Sequence, residues 1–325
     1  YPPADRTAGQ HQTSLRPRSR RSLPGHRLVM SSLPIPLDIL DELLDRSLRE
    51  DIGSGDVTSE ATIPPETRAH ATLVAKASGV IGGLEVARHL LYREDESCEI
   101  SFTVEDGDPV TNGTTIGTIR GNARTLLTLE RSMLNIIQRM GGIATATRRM
   151  VEAASAHGAT ILDTRKTAPG LRALDKWAVR LGGGTNHRMR LDDMVLIKEN
   201  HIRTAGGIRR AITAVHQHLN EKELNLPVEI ETATLEEVRE AVSTGGIDRI
   251  LLDNMVTVTP DGSIDTSVLE EALSIIDGRV PAEVSGNVTL ETIPAIAAAG
   301  VAFISSGALT HSVEALDVSL LVNVE

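Results

Sequence analysis

Apolar residues between Leu37 and Glu50 (Leu37, Ile39, Leu40, Leu43, Leu44, Leu48) form an amphipathic pattern that predicts a helix. Short alternating stretches at Ala71–Ala77 and Cys98–Val104 predict strands, and they are punctuated by turn signals at Glu105-Asp-Gly-Asp-Pro109 and Asn112-Gly113. Helical periodicity returns over Ala123–Met140 and Ile143–Ala156, with Gly141-Gly142 expected to part the two. Together these elements describe a small α+β domain ending in helices. Beyond Gly158 the rhythm changes. Brief apolar runs at Thr160–Leu162, Met194–Ile197, Pro227–Ile230, Arg249–Leu252, Ala282–Val284 and Ala302–Ile304 alternate with helix-like segments such as Leu235–Ser243, Ser267–Ile276 and Thr289–Ala299. Strands alternating with amphipathic helices form βαβ units and pair in parallel, so the pattern predicts an α/β barrel with fewer than eight regular units. A doubly wound open sheet is the rival architecture, weakened by the absence of a dinucleotide-binding glycine fingerprint.

Residues 1–29 follow neither pattern. They hold six arginines (Arg6, Arg16, Arg18, Arg20, Arg21, Arg27) against Asp5 alone, with Pro, Ser, Gln and Gly between them. Such a segment buries too little apolar surface to offset its ordering entropy and is expected to be disordered. It has no apolar h-region, so a secretory signal is not expected; Met30 is expected to be the true start and the tail an upstream extension. No apolar run reaches the length of a membrane span. Cys98, the one cysteine among 325 residues, cannot form an intramolecular disulfide, and a reducing, cytoplasmic home is the simplest expectation. A net charge of −11 and 2% aromatic residues disfavour nucleic acid as a partner. Cys98 and Trp177 are read as packing residues.

The chemistry collects where the apolar runs stop. They end in Asp163-Thr-Arg-Lys166, Lys198-Glu-Asn-His201, Glu229 with Glu231, Asp253-Asn254, Ser285-Gly286-Asn287 and Ser305-Ser306-Gly307. Strands must finish in water, so one polar end means little. Six in succession point to the C-terminal face of a parallel α/β fold, where active sites sit. From Asp163 to Arg203 nine basic residues stand against five acids in an otherwise acidic chain, which implies a small polyanionic ligand. Arginine suits carboxylates and phosphates through its planar fork, lysine as a point charge. Glu231 and Asp253, on separate strands, would repel phosphates unless a divalent cation lies between, and Mg²⁺ is the natural bridge; the plainer alternative is that they neutralise the arginines. Ser285-Gly286 and Ser306-Gly307 are expected to offer backbone N–H groups to a phosphate at helix N-termini. Gly182-Gly183-Gly184 is either a close backbone approach to ligand or a bend. No Walker-type lysine loop is present.

At these residues the chain resembles the quinolinate phosphoribosyltransferases, also called carboxylating nicotinate-nucleotide pyrophosphorylases, from Leu37 to the C-terminus. The stretches that carry the likeness are Glu50-Asp-Ile-Gly-Ser-Gly-Asp-Val-Thr58, Glu130-Arg-Ser-Met-Leu-Asn135, Gly142-Ile-Ala-Thr145 and Asp163-Thr-Arg-Lys-Thr-Ala-Pro-Gly-Leu-Arg172. Gly182-Gly-Gly-Thr-Asn-His-Arg188, Leu196-Ile-Lys-Glu-Asn-His201, Val228-Glu-Ile-Glu231, Leu251-Leu-Asp-Asn-Met255 and Ile304-Ser-Ser-Gly-Ala-Leu-Thr310 continue it. The resemblance implies an N-terminal α/β sandwich (30–141), an incomplete six- to seven-stranded α/β barrel (142–312), and a C-terminal segment (313–325) packing back on the N-terminal domain. It further implies a homodimer or higher oligomer, with Arg131 reaching into the partner's site to join Arg165, Lys166, His187, Arg188 and Lys198 around a dicarboxylate. Glu231 and Asp253 would serve Mg²⁺ and the ribose of phosphoribosyl pyrophosphate (PRPP), with Lys166, Glu231 and Asp253 the catalytic set. Ser285, Gly286, Asn287, Ser306 and Gly307 would hold the 5′-phosphate. His201 is read as structural or supporting.

Two positions depart from the family's usual pattern. Asn287 stands where a glycine is usual, and Glu199 where an aspartate is. The implied reaction transfers phosphoribosyl from PRPP to quinolinate with loss of CO₂, giving nicotinate mononucleotide in de novo NAD biosynthesis. Two enzymatic alternatives are a phosphoribosyltransferase for another pyridine acid and a barrel aldolase using Lys166 or Lys198 as a Schiff base. A non-catalytic anion-binding protein is the third.

Overall fold

The computed structural model describes residues 33–325. The basic stretch 1–29, expected to be disordered, and the expected start at Met30 lie outside the described residues.

Helix α1 (Leu37–Ile52) buries Leu40, Leu44 and Leu48, one face at i, i+4 and i+8, and stops where Gly53 takes a φ of 59°. Helix α2 (Val57–Thr62) is capped by Asp56, whose carboxylate accepts from the Ser59 amide. Strands β1 (Arg68–Ala75), β2 (Gly79–Val80), β3 (Glu99–Phe102), β4 (Pro109–Val110) and β5 (Thr115–Asn122) follow, interrupted by α3 (Leu84–Glu94). In β1 every second residue (Ala69, Ala71, Leu73, Ala75) is buried, as strand alternation requires.

Helix α4 runs unbroken from Ala123 to Ala154. Two helices parted at Gly141-Gly142 were expected, and the glycines serve instead as a groove. A Cβ on Gly142 would collide with the Glu314 carbonyl, and one on Gly141 would lie 3.1 Å from Leu316 Cβ. The glycines therefore let the 314–316 segment cross the helix at backbone distance. A glycine costs a helix about 1 kcal/mol, and the packing of this crossing offsets it.

Asp106, in the turn expected from sequence, accepts the amides of Leu84 (2.8 Å) and Glu85 (3.4 Å) and so caps α3 from a distant loop. Burial pushes its carboxyl up to about 6, against the amide hydrogen bonds that pull it down. A carboxyl whose folded pKa is raised adds stability below its unfolded pKa and loses it as pH rises through the folded value. Asp106→Asn keeps the acceptor and removes the titration. Urea unfolding is thus expected to show the variant gaining on wild type between pH 4 and pH 6; a constant difference across that range would refute the assignment.

The remaining elements are β6 (Thr160–Leu162), α5 (Arg172–Leu181), β7 (Val195–Ile197), α6 (Glu199–Ala205), α7 (Ile208–Glu221), β8 (Val228–Thr232), α8 (Leu235–Thr244), β9 (Arg249–Asp253), β10 (Thr257–Val258), β11 (Ile264–Asp265), α9 (Ser267–Ile276), β12 (Ala282–Ser285), α10 (Ile293–Ala298), β13 (Phe303–Ser305), α11 (Ala308–His311) and β14 (Val318–Val324). Six of the strands form one parallel sheet in the order β6-β13-β12-β9-β8-β7. Neighbours in the sheet are successive βα units, and the last, β13, returns to pair with the first, β6. Only β6 and β7 remain unpaired with each other, and there Thr185 bridges to Leu162 in parallel. This is an α/β ring of six strands, open at one seam, built from the short runs that the pattern marked. A separate antiparallel sheet, β14-β1-β5-β3, joins the far C-terminus to β1 in register from Ala75–Val318 to Ala69–Val324.

The helix expected over Thr289–Ala299 is shorter, beginning at Ile293. Thr289 and Thr292 exchange side-chain and backbone hydrogen bonds, and Thr292 Oγ1 donates to the Asn287 carbonyl. Hydroxyls that satisfy the backbone locally delay helix formation.

Candidate active site

Parallel register brings the strand ends to one face. Ser285 pairs with Asp253, Ile230 with Ile197, and Glu231 with Leu251, which places Lys198, Glu231, Asp253 and Ser285 along one rim. Lys198 forms an ion pair with Glu231. The lysine side chain is 48% exposed, so the pair is worth at most about 1 kcal/mol and an anionic ligand can displace it. Asp253 is held above its ordinary value by burial and then by the charge of Glu231, while Lys198 and Lys166 pull it down. Those four charges therefore share one field.

Lys166 reaches that field from the β6 loop. Thr310 Oγ1 donates to its carbonyl at 2.9 Å, and its own amide donates to Thr164. Gly307 leaves room for its side chain: a Cβ there would lie 2.8 Å from Lys166 Cδ. Arg188 is lowered by burial and next by the charge of Arg165, so the two cations lie within electrostatic reach of one another. Among the described residues Arg165 Nε is buried without a hydrogen-bond partner, an orphaned donor of the kind a carboxylate satisfies. The sequence-predicted residues Arg165, Lys166, Arg188, Lys198, Glu231 and Asp253 are thus brought together. Arg131 is not: it stands exposed on α4 and shares no hydrogen bond or ion pair with this cluster among the described residues.

His187 sits beside the cluster with both ring nitrogens engaged. Nδ1 accepts the Arg188 amide at 2.7 Å, and Nε2 lies 3.0 Å from Glu229 Oε2. His201 accepts the Lys198 amide at Nδ1, capping α6. Glu199 is exposed in the first turn of α6 and faces Arg203, so its extra methylene relative to aspartate points at solvent.

The two serine–glycine loops differ. Ser306-Gly307 runs directly into α11, with Gly307 as its N-cap. Ser285-Gly286-Asn287 does not sit at a helix start, because α10 begins only at Ile293. It packs on the β9 end instead: Gly286 (φ 84°) has no room for a Cβ against Asn254 Oδ1, and the Ser285 carbonyl accepts the Asn254 amide. Asn287 adopts a φ of 53° and donates to the Val256 carbonyl at 3.0 Å. Asparagine tolerates the left-handed region, so the loop shape survives the loss of a glycine.

Glu231 and Asp253 fit a hard divalent cation. They offer carboxylate oxygens only, and the repulsion that raises Asp253 is what such an ion relieves. Sequence reasoning missed a deeper set. Lys176, on α5, is fully buried and ion-paired to the equally buried Asp163. Lys176 also donates to the His187 carbonyl (2.8 Å), and Asp163 accepts the His187 amide (2.9 Å). Arg139 on α4 grips Asp175 with two 2.8 Å bonds and also donates to the Thr310 carbonyl. Glu283 and Arg249 lie inside the ring. Strand alternation carried the signal for Glu283, two residues before Ser285.

Comparison with known proteins places this geometry among relatives. Family models described as quinolinate phosphoribosyl transferase, N-terminal domain and C-terminal domain, match residues 56–141 and 143–321. The chain is 50% identical over 292 residues, 88% of its length and 83% of the relative's, to a Nicotiana tabacum protein named quinolinate phosphoribosyltransferase [decarboxylating] 2b, mitochondrial. It is 46% identical over 328 residues to an Arabidopsis thaliana protein named nicotinate-nucleotide pyrophosphorylase [carboxylating], chloroplastic, covering 99% of this chain and 89% of that one. The solved nicotinate-nucleotide pyrophosphorylase from Francisella tularensis superposes with a TM-score of 0.81 at 38% identity, over 89% of this chain and 98% of that one.

These names correct the expectation of a cytoplasmic home. The Nicotiana tabacum relative is named mitochondrial and the Arabidopsis thaliana relative chloroplastic, which speaks against that expectation. A single buried cysteine excludes disulfide staples but does not separate one reducing compartment from another. An absent h-region speaks only to secretion and does not bear on an organelle.

Proposed function

The chain belongs to the quinolinate phosphoribosyltransferase family, and from that premise we infer that it transfers phosphoribosyl from PRPP to quinolinate with decarboxylation, giving nicotinate mononucleotide, pyrophosphate and CO₂. The observation that carries this reading is the meeting of two fields at the strand ends: the charge of Arg165 acting on Arg188, and Lys166 and Lys198 acting with Glu231 on Asp253. The first field suits a dicarboxylate, the second a phosphorylated sugar.

In this reading Arg165, Lys166, Arg188 and Lys198 hold the two carboxylates of quinolinate. The ring nitrogen forms its bond to C1 of the ribose as the C1–oxygen bond to pyrophosphate breaks, the electron pair leaving with pyrophosphate. Glu231 or Asp253 stabilises the positive charge that develops at C1. The ring nitrogen, now quaternary, draws electrons from C2; the bond to the 2-carboxylate breaks, CO₂ departs, and C2 takes up a proton. The protein's part is to orient both substrates and exclude water. Glu231 and Asp253 would hold Mg²⁺, which when bound supplies charge neutralisation for the pyrophosphate. Ser285, Gly286, Asn287, Ser306 and Gly307 cradle the 5′-phosphate. A Schiff-base role for Lys198 is disfavoured because its ammonium is already ion-paired with Glu231.

The exposed position of Arg131 on α4 supports a site completed across a homodimer, with Arg131 supplied by the partner. Subunit mixing tests this. Arg131→Ala and Lys166→Ala dimers are each expected to be nearly inactive. Unfolded and refolded together, they should recover about a quarter of wild-type activity, because half the dimers then carry one intact site. No recovery, with mixed dimers confirmed by mass, would place Arg131 and Lys166 in the same subunit's site or in none.

A further inference from the structure

Alternation sets a second tier of charge beneath the rim. Residues i and i+2 of a strand share a face, so Glu229 lies behind Glu231 on β8, Glu283 behind Ser285 on β12, and Arg249 further down the face of β9 that ends in Asp253. Glu229 and Glu283 are fully buried. Arg249 pairs with Glu283 at 2.8 Å and stacks on the Phe303 ring at 4.0 Å. Among the described residues, Oε1 of each carboxyl is buried and finds no hydrogen-bond partner of good geometry, although Ser305 lies close to Glu283.

This tier surrounds the inner edge of His187. Nε2 is 3.0 Å from Glu229 Oε2 and 3.6 Å from Glu283 Oε2. The other polar atoms of His187 are also taken: its amide by Asp163, its carbonyl by Lys176, its Nδ1 by the Arg188 amide. A backbone amide can only donate, so Nδ1 is the unprotonated nitrogen and Nε2 carries the proton. The ring therefore has no free nitrogen for a substrate carboxylate.

Resting on the reading of the rim as a quinolinate and PRPP site, we propose that Glu229 and Glu283 are positioning residues that lock His187 in its Nε2–H tautomer and, through Nδ1, fix the backbone of Arg188 where its guanidinium meets the dicarboxylate. Burial keeps the His187 ring below its ordinary pKa and hence neutral. Burial, and then the charge of the neighbouring Glu229, pushes Glu283 up to about 7. The same three side chains offer ligand atoms within 4.8 Å of one another, as a metal site does, but the Arg249 cation already occupies Glu283.

The test uses the full-length protein and its Glu283→Leu and Glu283→Gln variants. Two-dimensional NMR of the ¹⁵N-labelled histidine rings reads the tautomer, with His187 assigned by the signal lost in His187→Gln. Steady-state kinetics reads KM for each substrate. Wild type is expected to give a single Nε2–H ring for His187. Glu283→Leu should mix the tautomers and raise KM for quinolinate by roughly 10²-fold, the cost of misplacing a binding group by about 1 Å, with KM for PRPP changed less than about twofold. Glu283→Gln, still polar at the same place, should recover most of the loss. An Nδ1–H or rapidly exchanging His187 in wild type would overturn the proposal. Equal rises in both KM values, or a stoichiometric metal ion whose removal shifts the His187 signals, would do the same. If Glu283→Leu does not fold, wild type and Glu283→Gln still decide. Failure of wild type to turn over quinolinate would sink the functional reading alone, because the tautomer measurement needs no substrate.

Discussion

Lys166→Ala and Lys198→Ala are each expected to slow pyrophosphate release from PRPP and quinolinate by about 10²–10³-fold or more, the scale of losing one preorganised charged donor at a reacting centre. Stability should barely move. Lys166 is exposed, and the Lys198–Glu231 pair is half-exposed, so deleting either ammonium costs the fold no more than about 1 kcal/mol. The contrast arises because each charge is weakly used in the free protein and strongly used once two substrate carboxylates and a pyrophosphate enter a narrow rim. Lys198→Arg is not expected to rescue: the planar guanidinium is a different shape from a compact ammonium. Parallel assays of turnover and thermal unfolding check the split. Near-normal turnover in both alanine variants would contradict the assignment of the rim.

The opposite split is expected one layer down. Lys176 and Asp163 are both fully buried, and each also binds the His187 backbone. The Asn186 amide, turned to satisfy its oxygen and nitrogen, donates to Asp163 Oδ2 and the Lys176 carbonyl at 2.8 Å each. Removing one partner of a buried pair strands the other charge and costs roughly 3–5 kcal/mol. Asp163→Asn is expected to approach that cost at low pH and to lose less as pH rises, because burial already pulls Lys176 below its ordinary value and the stranded amine sheds its proton. Lys176→Met is expected to be pH-dependent, because burial already pushes Asp163 up to about 6 with its lysine present. Without the lysine the carboxyl protonates more readily. A folded pKa raised above the unfolded one gives stability that is present at low pH and lost as pH rises through it. Chemical denaturation should therefore find Lys176→Met close to wild type near pH 5 and far below it near pH 8. An equal deficit at both values would show that the loss comes from packing and not from the stranded charge.

The parallel ring was legible because its strands are short apolar runs set between amphipathic helices, and burial on both faces leaves no other use for such runs. Lys198, Glu231 and Asp253 were legible because each follows a run directly, and Lys166 because it closes the polar stretch after the first run; a charge at a strand end has one place to go. What the chain conceals is close approach. Gly141 and Gly142 look like a helix break, yet α4 passes through them so that residues 314–316 can cross it. Thr289 and Thr292 look helical by position, but their hydroxyls hold the chain back. The buried tier was hidden for a different reason. Lys176 sits in a helical pattern where lysine usually faces water, and only the tertiary placement of Asp163 makes its burial tolerable. Arg131 is the converse case, an exposed residue on α4 that the described chain brings to no cluster, so that only the proposed second subunit gives it a use.

The measurement closest to the central claim follows CO₂ and pyrophosphate together from one reaction of the purified protein with PRPP and Mg²⁺. With quinolinate the two products are expected to appear in equal amounts at equal rates. With nicotinate, which lacks the second carboxylate, neither should be released at a comparable rate. Pyrophosphate released as fast from nicotinate, or from quinolinate without matching CO₂, would contradict a site built to grip two carboxylates and discard one.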